Sequence, residues 1–414
     1  MTTSYGTALS MIALLCASCV DGKESCRANL DCALGEACVA GICTANPDDC
    51  QNVGTFDEIW SGPLPGSESV VVVEAHVTVD SRGATHVCWY GQDDAGGLVS
   101  YYSHQTAADV FEVSPLETVD GTQLQCGAIA VDEDGTPFVF SRHPIAVASR
   151  GPSGWAAVPL TGLDGPEATG AVSSPNAAVA LTPDGNGGVL VALSIGLLVS
   201  NQAVYLAHLQ GEELTVYANG WSESGDYGPI GHAPQALVKS GGEIRVLIGD
   251  TSASTITLTD ASYSLLDTID GYFARTAASA DRSVARTAYF DKNFVLRVAD
   301  ATADELAPIA ELGAMLVSSS GDGRVPWEIA VDPAGTAHLL VEDLSQGPSA
   351  LVYRTASADG AASEPMIVTM SSDGDLPGAQ RYSLGADLCG RATTAVLEGN
   401  EETGVVDLVV REGR

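Results

Sequence analysis

The chain has 414 residues, with 18 Lys and Arg against 53 Asp and Glu, a formal net charge of -35 and a pI near 4.2. A surface of that sign repels phosphate backbones and anionic headgroups, which argues against nucleic acid as a partner and against charge-driven membrane binding. With 45 Gly and only 6% aromatic residues, the composition suits many tight turns between short strands, and the length suits one large repeat domain with a small appendage.

Ala8 to Val20 is an apolar stretch, too short to cross a bilayer as a helix but of the size of a secretory signal core. Met1 to Thr7 lack the usual Lys or Arg. Cys16-Ala17-Ser18-Cys19 resembles the end of a bacterial lipoprotein signal, in which small residues precede a Cys that is acylated and becomes the new N-terminus. The resemblance makes residues 1–18 a signal segment and Cys19 the lipidation site, although Cys stands at position 16 where the family prefers Leu. Plain secretion with cleavage nearby is the alternative. Either route leads to an oxidising compartment.

Residues 19–50 carry Cys26, Cys32, Cys38, Cys43 and Cys50 among Asp, Asn, Gly and Ala, with almost nothing to build an apolar core. A segment that small holds a shape only when stapled by disulfides. The spacing C-x5-C-x5-C-x4-C from Cys26 to Cys43 resembles the small disulfide modules that follow the anchor in bacterial surface proteins. Zinc sites favour closer pairs such as C-x2-C. Four cysteines allow three connectivities, of which Cys26 with Cys38 and Cys32 with Cys43 is one.

From residue 51 onward the chain repeats. Ile329 to Glu342 reads as two apolar, partly β-branched runs around Asp332-x-x-Gly335, the form of a tight hairpin in which Asp caps the turn and Gly takes the left-handed position. Asp80-x-x-Gly83, Asp132-x-x-Gly135 and Asp387-x-x-Gly390 are further clear copies. Thr182-x-x-Gly185, Lys239-x-x-Gly242 and Asp281, with Val284 in place of Gly, complete a series with a period of about fifty residues. Within the first repeat, strands are expected over Val72 to Asp80, Ala84 to Tyr90, Leu98 to Ser103 and Val110 to Ser114. The last repeat lacks a fourth strand, and Phe56-Asp57-Glu58-Ile59-Trp60 is the natural candidate to supply it.

The V-D-x-x-G ending followed by an apolar strand resembles that of bacterial repeat propellers, over about residues 55 to 414. The resemblance implies an all-β fold: a seven-bladed β-propeller over residues 51–414, closed by an N-terminal strand and preceded by the signal segment and the Cys-rich module. The sialidase Asp-box places one residue, not two, between acid and Gly. No Trp-Asp pair of the Trp-Asp repeat occurs.

Asp80, Asp132, Asp332 and Asp387 are expected to cap turns, and His86 and His338, at equivalent repeat positions, to pack. No G-x-S-x-G elbow, H-E-x-x-H pair or phosphate-cradling loop is present, so no catalytic set, metal site or cofactor is expected. The acidic loops at Asp322-Gly323 and Asp373-Gly374-Asp375 do not continue into calcium-ligand spacing and read as solvated turns. Cys88 and Cys126 fall at similar heights on facing strands of neighbouring repeats, which suits a disulfide. Cys50 and Cys389 fall on one face and make a second candidate pair. The expected function is a monomeric, surface-tethered module that binds or scaffolds a protein or glycan and touches membrane only through its lipid. The alternative is a polysaccharide lyase or glycoside hydrolase, which needs convergent acids or a Tyr-His-Arg set at the axial mouth; no such set is visible in the sequence.

Overall fold

The structure is a computed structural model that describes residues 36–39, 42–45, 55–63, 71–80, 83–92, 97–107, 110–132, 135–160, 179–184, 187–195, 203–221, 233–240, 243–249, 252–258, 263–270, 272–279, 284–302, 305–314, 327–343, 350–370, 382–387, 390–400 and 405–413. The expected signal segment, Cys19 and most of the Cys-rich module lie outside these residues. Of that module, Glu36–Val39 and Ile42–Ala45 form a two-stranded antiparallel hairpin.

The other described strands form seven four-stranded antiparallel sheets. Six of these use four consecutive strands laid side by side in chain order. In the first they are Val71–Val79, Thr85–Gln92, Leu98–Ala107 and Val110–Pro115. The inner strands of the following sheets are Cys126–Val131, Val179–Pro183, Ala233–Ser240, Tyr272–Ala278, Trp327–Val331 and Tyr382–Ala386. Each inner strand packs against the next, and the seventh packs against the first. At that last seam Val77 N donates to Ser383 Oγ at 3.0 Å. A Cβ at Gly385 would sit 3.1 Å from Val79 Cγ2, so glycine is what lets the two backbones approach.

Burial follows position in the sheet. Second strands such as Pro137–Arg142 and Ala285–Phe290 are buried at every residue, because another sheet covers each face. Outer strands such as Val110–Pro115 alternate between exposed and half-buried. The cores lie between sheets. Ile59, Val77, Trp89, Leu397, Leu408 and Val410 fill the space between the seventh and the first. Phe290, Leu296, Trp327, Leu339 and Val341 fill that between the fifth and the sixth, with Phe290 meeting the Trp327 ring edge-on at 4.8 Å. Each such Leu or Val contributes about 1.5–3 kcal/mol through burial. Sheets stacked face to face around their inner strands, with cores between neighbours, make a propeller-type arrangement.

The seventh sheet is completed from the far end of the chain. Phe56–Pro63 pairs antiparallel with Val405–Gly413 and forms the outer strand that the last repeat lacks. Phe56 stands opposite Gly413, next to the Thr393↔Glu412 pair that follows the Asp387 turn, so the chain enters on the face that carries the Asp turns.

Those turns share one geometry. In Asp80-x-x-Gly83 the Gly83 amide donates to Asp80 O at 3.0 Å, the Asp80 amide to Ala84 O at 2.9 Å, and the Ala84 amide to Asp80 Oδ1 at 2.8 Å. Gly83, Gly135, Gly335 and Gly390 all have positive φ, between 75° and 85°, which only glycine adopts at little cost. Three of the expected turns differ from their sequence reading. In the third sheet the turn is Asp184-x-x-Gly187, not Thr182-x-x-Gly185: Gly188 N donates to Asp184 Oδ1 at 2.9 Å and Gly187 has φ 79°. In the fourth, Ser240 pairs directly with Glu243, leaving a two-residue connection. In the fifth, Ser279 caps the turn, its hydroxyl accepting from Val284 N at 3.1 Å across a loop one residue longer, and Asp281 lies outside the described residues.

The first two sheets are covalently joined. Cys88 and Cys126 form a disulfide with Cα atoms 6.1 Å apart, packed among Tyr102, Leu116, Leu124 and Trp155. Arg150 of the second sheet lies over the Tyr102 ring at 5.2 Å beside it.

Candidate functional site

The recurrent aspartates use both carboxylate oxygens. Oδ1 accepts from the backbone amide four residues on: Ala84, Thr136, Thr336 and Arg391 for Asp80, Asp132, Asp332 and Asp387 respectively. In several sheets Oδ2 faces a basic side chain. His338 Nε2 reaches Asp332 Oδ2 at 3.2 Å while its Nδ1 lies 2.6 Å from the Tyr353 hydroxyl. His86 repeats the pattern with Asp80 at 3.5 Å and Tyr102 at 2.6 Å. His208 meets Asp184 at 2.6 Å, and Arg391 Nε meets Asp387 at 2.8 Å. Burial works against ionisation of Asp332, but His338 and the Thr336 amide outweigh it and hold the carboxyl below its ordinary value. The His86 and His338 groups are buried with their partners, so these triads pin strands together and have no access to a substrate.

A second polar cluster sits elsewhere, at the ends of the inner strands remote from the Asp turns. From the first sheet come Glu74, His76 and Tyr90, with Glu74 and Tyr90 directly opposite in the register. The second sheet adds Arg142, whose backbone amide donates to Gln125 O at 2.9 Å just before the inner strand begins. Arg275, Glu328 and Tyr382 come from the inner strands of the fifth, sixth and seventh.

The contacts within the cluster bridge sheets. Arg142 grips Glu74 through two nearly parallel bonds, Nη1 to Oε2 at 2.6 Å and Nη2 to Oε1 at 2.9 Å, the bidentate form that fixes direction as well as distance. His76 Nε2 approaches Glu74 Oε1 to 2.7 Å. Arg275 Nη1 lies 2.9 Å from Glu328 Oε1 and 3.2 Å from Oε2. Gly127 makes room for the Arg142 side chain, since a Cβ there would fall 2.8 Å from Arg142 Cγ. The Glu74 and Arg142 side chains are only 6% and 9% exposed, whereas His76 is 21% and Arg275 and Glu328 are 19% exposed. A buried support therefore stands behind a layer that meets solvent.

The electrostatics separate the two carboxylates. Burial opposes the charge on Glu74, but His76 and then Arg142 more than compensate and hold it at about 2. Burial pushes Glu328 above its ordinary value; Arg275 and His76 oppose the rise and Glu74 adds to it. Glu328 on the sixth inner strand and Glu74 and His76 on the first are separated around the ring by the seventh inner strand, which packs against both. Burial also raises Tyr90, with Glu74 adding to it, and Tyr382, with Glu328 adding to it, so both hydroxyls keep their protons at neutral pH. Such an arrangement offers fixed acceptors, fixed donors, an imidazole and two protonated phenols at the same ends of the first, second, fifth, sixth and seventh sheets.

Of the residues singled out in the sequence, the Asp turns lie at the opposite strand ends, whereas the Cys88–Cys126 disulfide adjoins the cluster, with Cys88 opposite His76 in the strand register and Cys126 following Gln125. Cys38 and Cys43 face one another as cross-strand partners in the small hairpin. Cys26, Cys32, Cys50 and Cys389, and the loops at Asp322 and Asp373, lie outside the described residues. Among the described residues no three His, Cys, Asp or Glu side chains converge to hold a metal ion.

No protein-family model matches the chain, and no curated protein matches it in sequence. Among solved structures it is similar to a streptogramin B lyase, at 10% identity and TM-score 0.48 over 86% of this chain and 96% of that one. It is similar to the fucose-specific lectin from Aleuria aurantia, at 11% identity and TM-score 0.42 over 76% of this chain and 100% of that one. It is also similar to the GH93 alpha-L-arabinofuranosidase of Fusarium graminearum, at 14% identity and TM-score 0.42 over 88% of this chain and 97% of that one.

Proposed function

We propose that the protein is an exported, lipid-tethered binding module: a seven-bladed propeller over residues 51–414 that presents its axial mouth to a protein or glycan. Residues 1–18 act as the signal, Cys19 carries the lipid and residues 19–50 form a disulfide-stapled spacer in which Cys26, Cys32, Cys38 and Cys43 pair. A further Cys50–Cys389 bridge fastens the spacer to the closing blade. The ring acts as a monomer in the cell envelope, needs no cofactor and binds no nucleic acid. The seven sheets and the contact between the first and last inner strands support the blade count.

The observation that carries the binding role is the exposure of His76, Arg275 and Glu328 on inner strands. The Asp80–His86–Tyr102 and Asp332–His338–Tyr353 triads, by contrast, are buried. Entry of the N-terminal strand on the opposite, Asp-turn face supports the tether, because the mouth then points away from the anchored side. The reading is tested by fractionating cells that express the full chain, with and without Cys19→Ser, and probing the protein for ligands. Release of the variant from the membrane with ligand binding retained supports it; a Cys19→Ser protein that stays membrane-bound refutes the tether.

One observation favours glycoside hydrolysis as the second reading. Glu74 is held ionised while Glu328 is pushed up, and such divergence between two carboxylates is how acid and base roles are separated. Incubation with chromogenic glycosides decides between them: turnover that Glu328→Gln abolishes establishes the hydrolase, and binding without turnover establishes the module.

A further inference from the structure

Resting on the binding role given above, we infer that the axial mouth takes a neutral, polyhydroxylated ligand, the terminal sugar of an uncharged glycan. His76, Arg275 and Glu328 touch its hydroxyls, and Glu74, Arg142 and Tyr90 act as positioning residues behind them.

The charges decide the ligand class. Glu74 is already neutralised by Arg142, and Glu328 by Arg275, each at hydrogen-bonding distance. A cationic ligand would have to displace a guanidinium from its carboxylate. An anionic ligand would have to displace Glu74 from Arg142 or Glu328 from Arg275, within a protein of net charge -35. A neutral polyol does neither. Sugar hydroxyls donate and accept at once, so adjacent hydroxyls can bond both members of an existing ion pair without breaking it.

The layering decides which residues touch it. His76, Arg275 and Glu328 are about one-fifth exposed, whereas Glu74 and Arg142 are buried. Behind them, the Arg142 fork fixes Glu74, and Glu74 orients His76 at 2.7 Å. Tyr90 stands directly opposite Glu74 in the strand register and adds to this support. Binding then finds its polar groups already immobilised and desolvated against one another, which lowers the cost of ordering them around a ligand.

The test uses the full chain on an array of neutral, uronate-containing and sulfated glycans, followed by calorimetric titration of the best neutral hit. His76→Ala and Glu328→Gln are compared with wild type, with thermal unfolding recorded for each. Binding to neutral glycans that weakens at least tenfold in both variants, at unchanged unfolding temperature, supports the inference. If either variant unfolds at a lower temperature, Arg275→Lys takes its place, and it too must weaken binding. Preference for uronates or sulfated glycans overturns it, as does neutral binding that the variants leave intact. In both cases the binding module itself survives with its site or ligand class reassigned. Absence of binding to any glycan, together with failure to capture a protein ligand, removes both.

Discussion

Replacing Glu74 by Gln tests the electrostatic account of the mouth most directly. The Arg142 guanidinium would be left buried with its hydrogen bonds partly kept but its counter-charge gone. Removing one partner of a buried pair costs about 3–5 kcal/mol. The pKa gives a second route to the same number. Holding Glu74 at about 2 rather than 4.5 is worth about 3 kcal/mol, at about 1.4 kcal/mol for each tenfold change in proton affinity. Because the folded value is depressed, this stability is fully present above pH 4.5 and disappears as the pH falls towards 2. Urea unfolding of wild type and Glu74→Gln should therefore differ by about 3 kcal/mol at pH 7, with the gap closing between pH 4.5 and 2. Taking the difference cancels the other carboxylates that titrate in that window. A variant within about 0.5 kcal/mol of wild type at pH 7, or a gap that persists at pH 2, would refute the reasoning.

Three further outcomes follow from geometry. Replacing Cys88 and Cys126 together by Ala opens a loop of sequence separation 38 and should cost about 4 kcal/mol on the chain-entropy relation, read as a lower urea midpoint; an unchanged midpoint would show that the bridge does not constrain the unfolded chain. Deleting Phe56–Pro63 bares the edge of Val405–Gly413 and should give aggregation or loss of cooperative unfolding in light scattering and calorimetry, whereas a monomer of unchanged stability would count against this closure. Gly335→Ala should destabilise more than Gly121→Ala. At either position, with φ near 84°, Ala would incur about 1–2 kcal/mol of strain, but only at 335 does the new Cβ fall 2.8 Å from Arg286 Nη2; equal losses in thermal unfolding would make that contact irrelevant.

Legibility in the sequence tracked how local each signal was. Asp80, Asp132, Asp332 and Asp387 announce their hairpins because cap, turn and left-handed glycine sit within four residues, and the strands follow from alternation on either side. The third turn misleads because glycines crowd the run Gly185-Asn186-Gly187-Gly188, in which Gly187 has φ 79° and Asp184 is the cap. The fifth misleads because a serine hydroxyl does the work of a carboxylate across a longer loop. The closing strand was legible by elimination, since Phe56 to Trp60 had no other partner and the last repeat lacked one. The mouth was not legible as a set. Its members come from five different sheets, and nothing in the sequence near Glu74 points to Arg142 or Glu328. One signal was present: Glu74, Arg275 and Glu328 are charged residues on inner strands built otherwise from small, apolar and neutral side chains. A charge placed where the hub is most crowded calls for a partner.

The closing strand also orders events in time. Each of the first six sheets consists of strands that leave the ribosome in succession, so its hairpins can pair as soon as they emerge. The seventh cannot. Phe56–Pro63 is made early, yet its partner Val405–Gly413 is made near the end, and the pairing spans almost the whole chain. Contacts of that separation form slowly, because the loop they close must be ordered first. Until then both ends of the growing stack present unpaired backbone, the early strand at one and the half-built last sheet at the other. The interval before closure is when the molecule is most exposed to pairing with a second copy, and a factor that shields Phe56 to Pro63 in that interval would raise the yield of closed rings without touching the stability of the finished one.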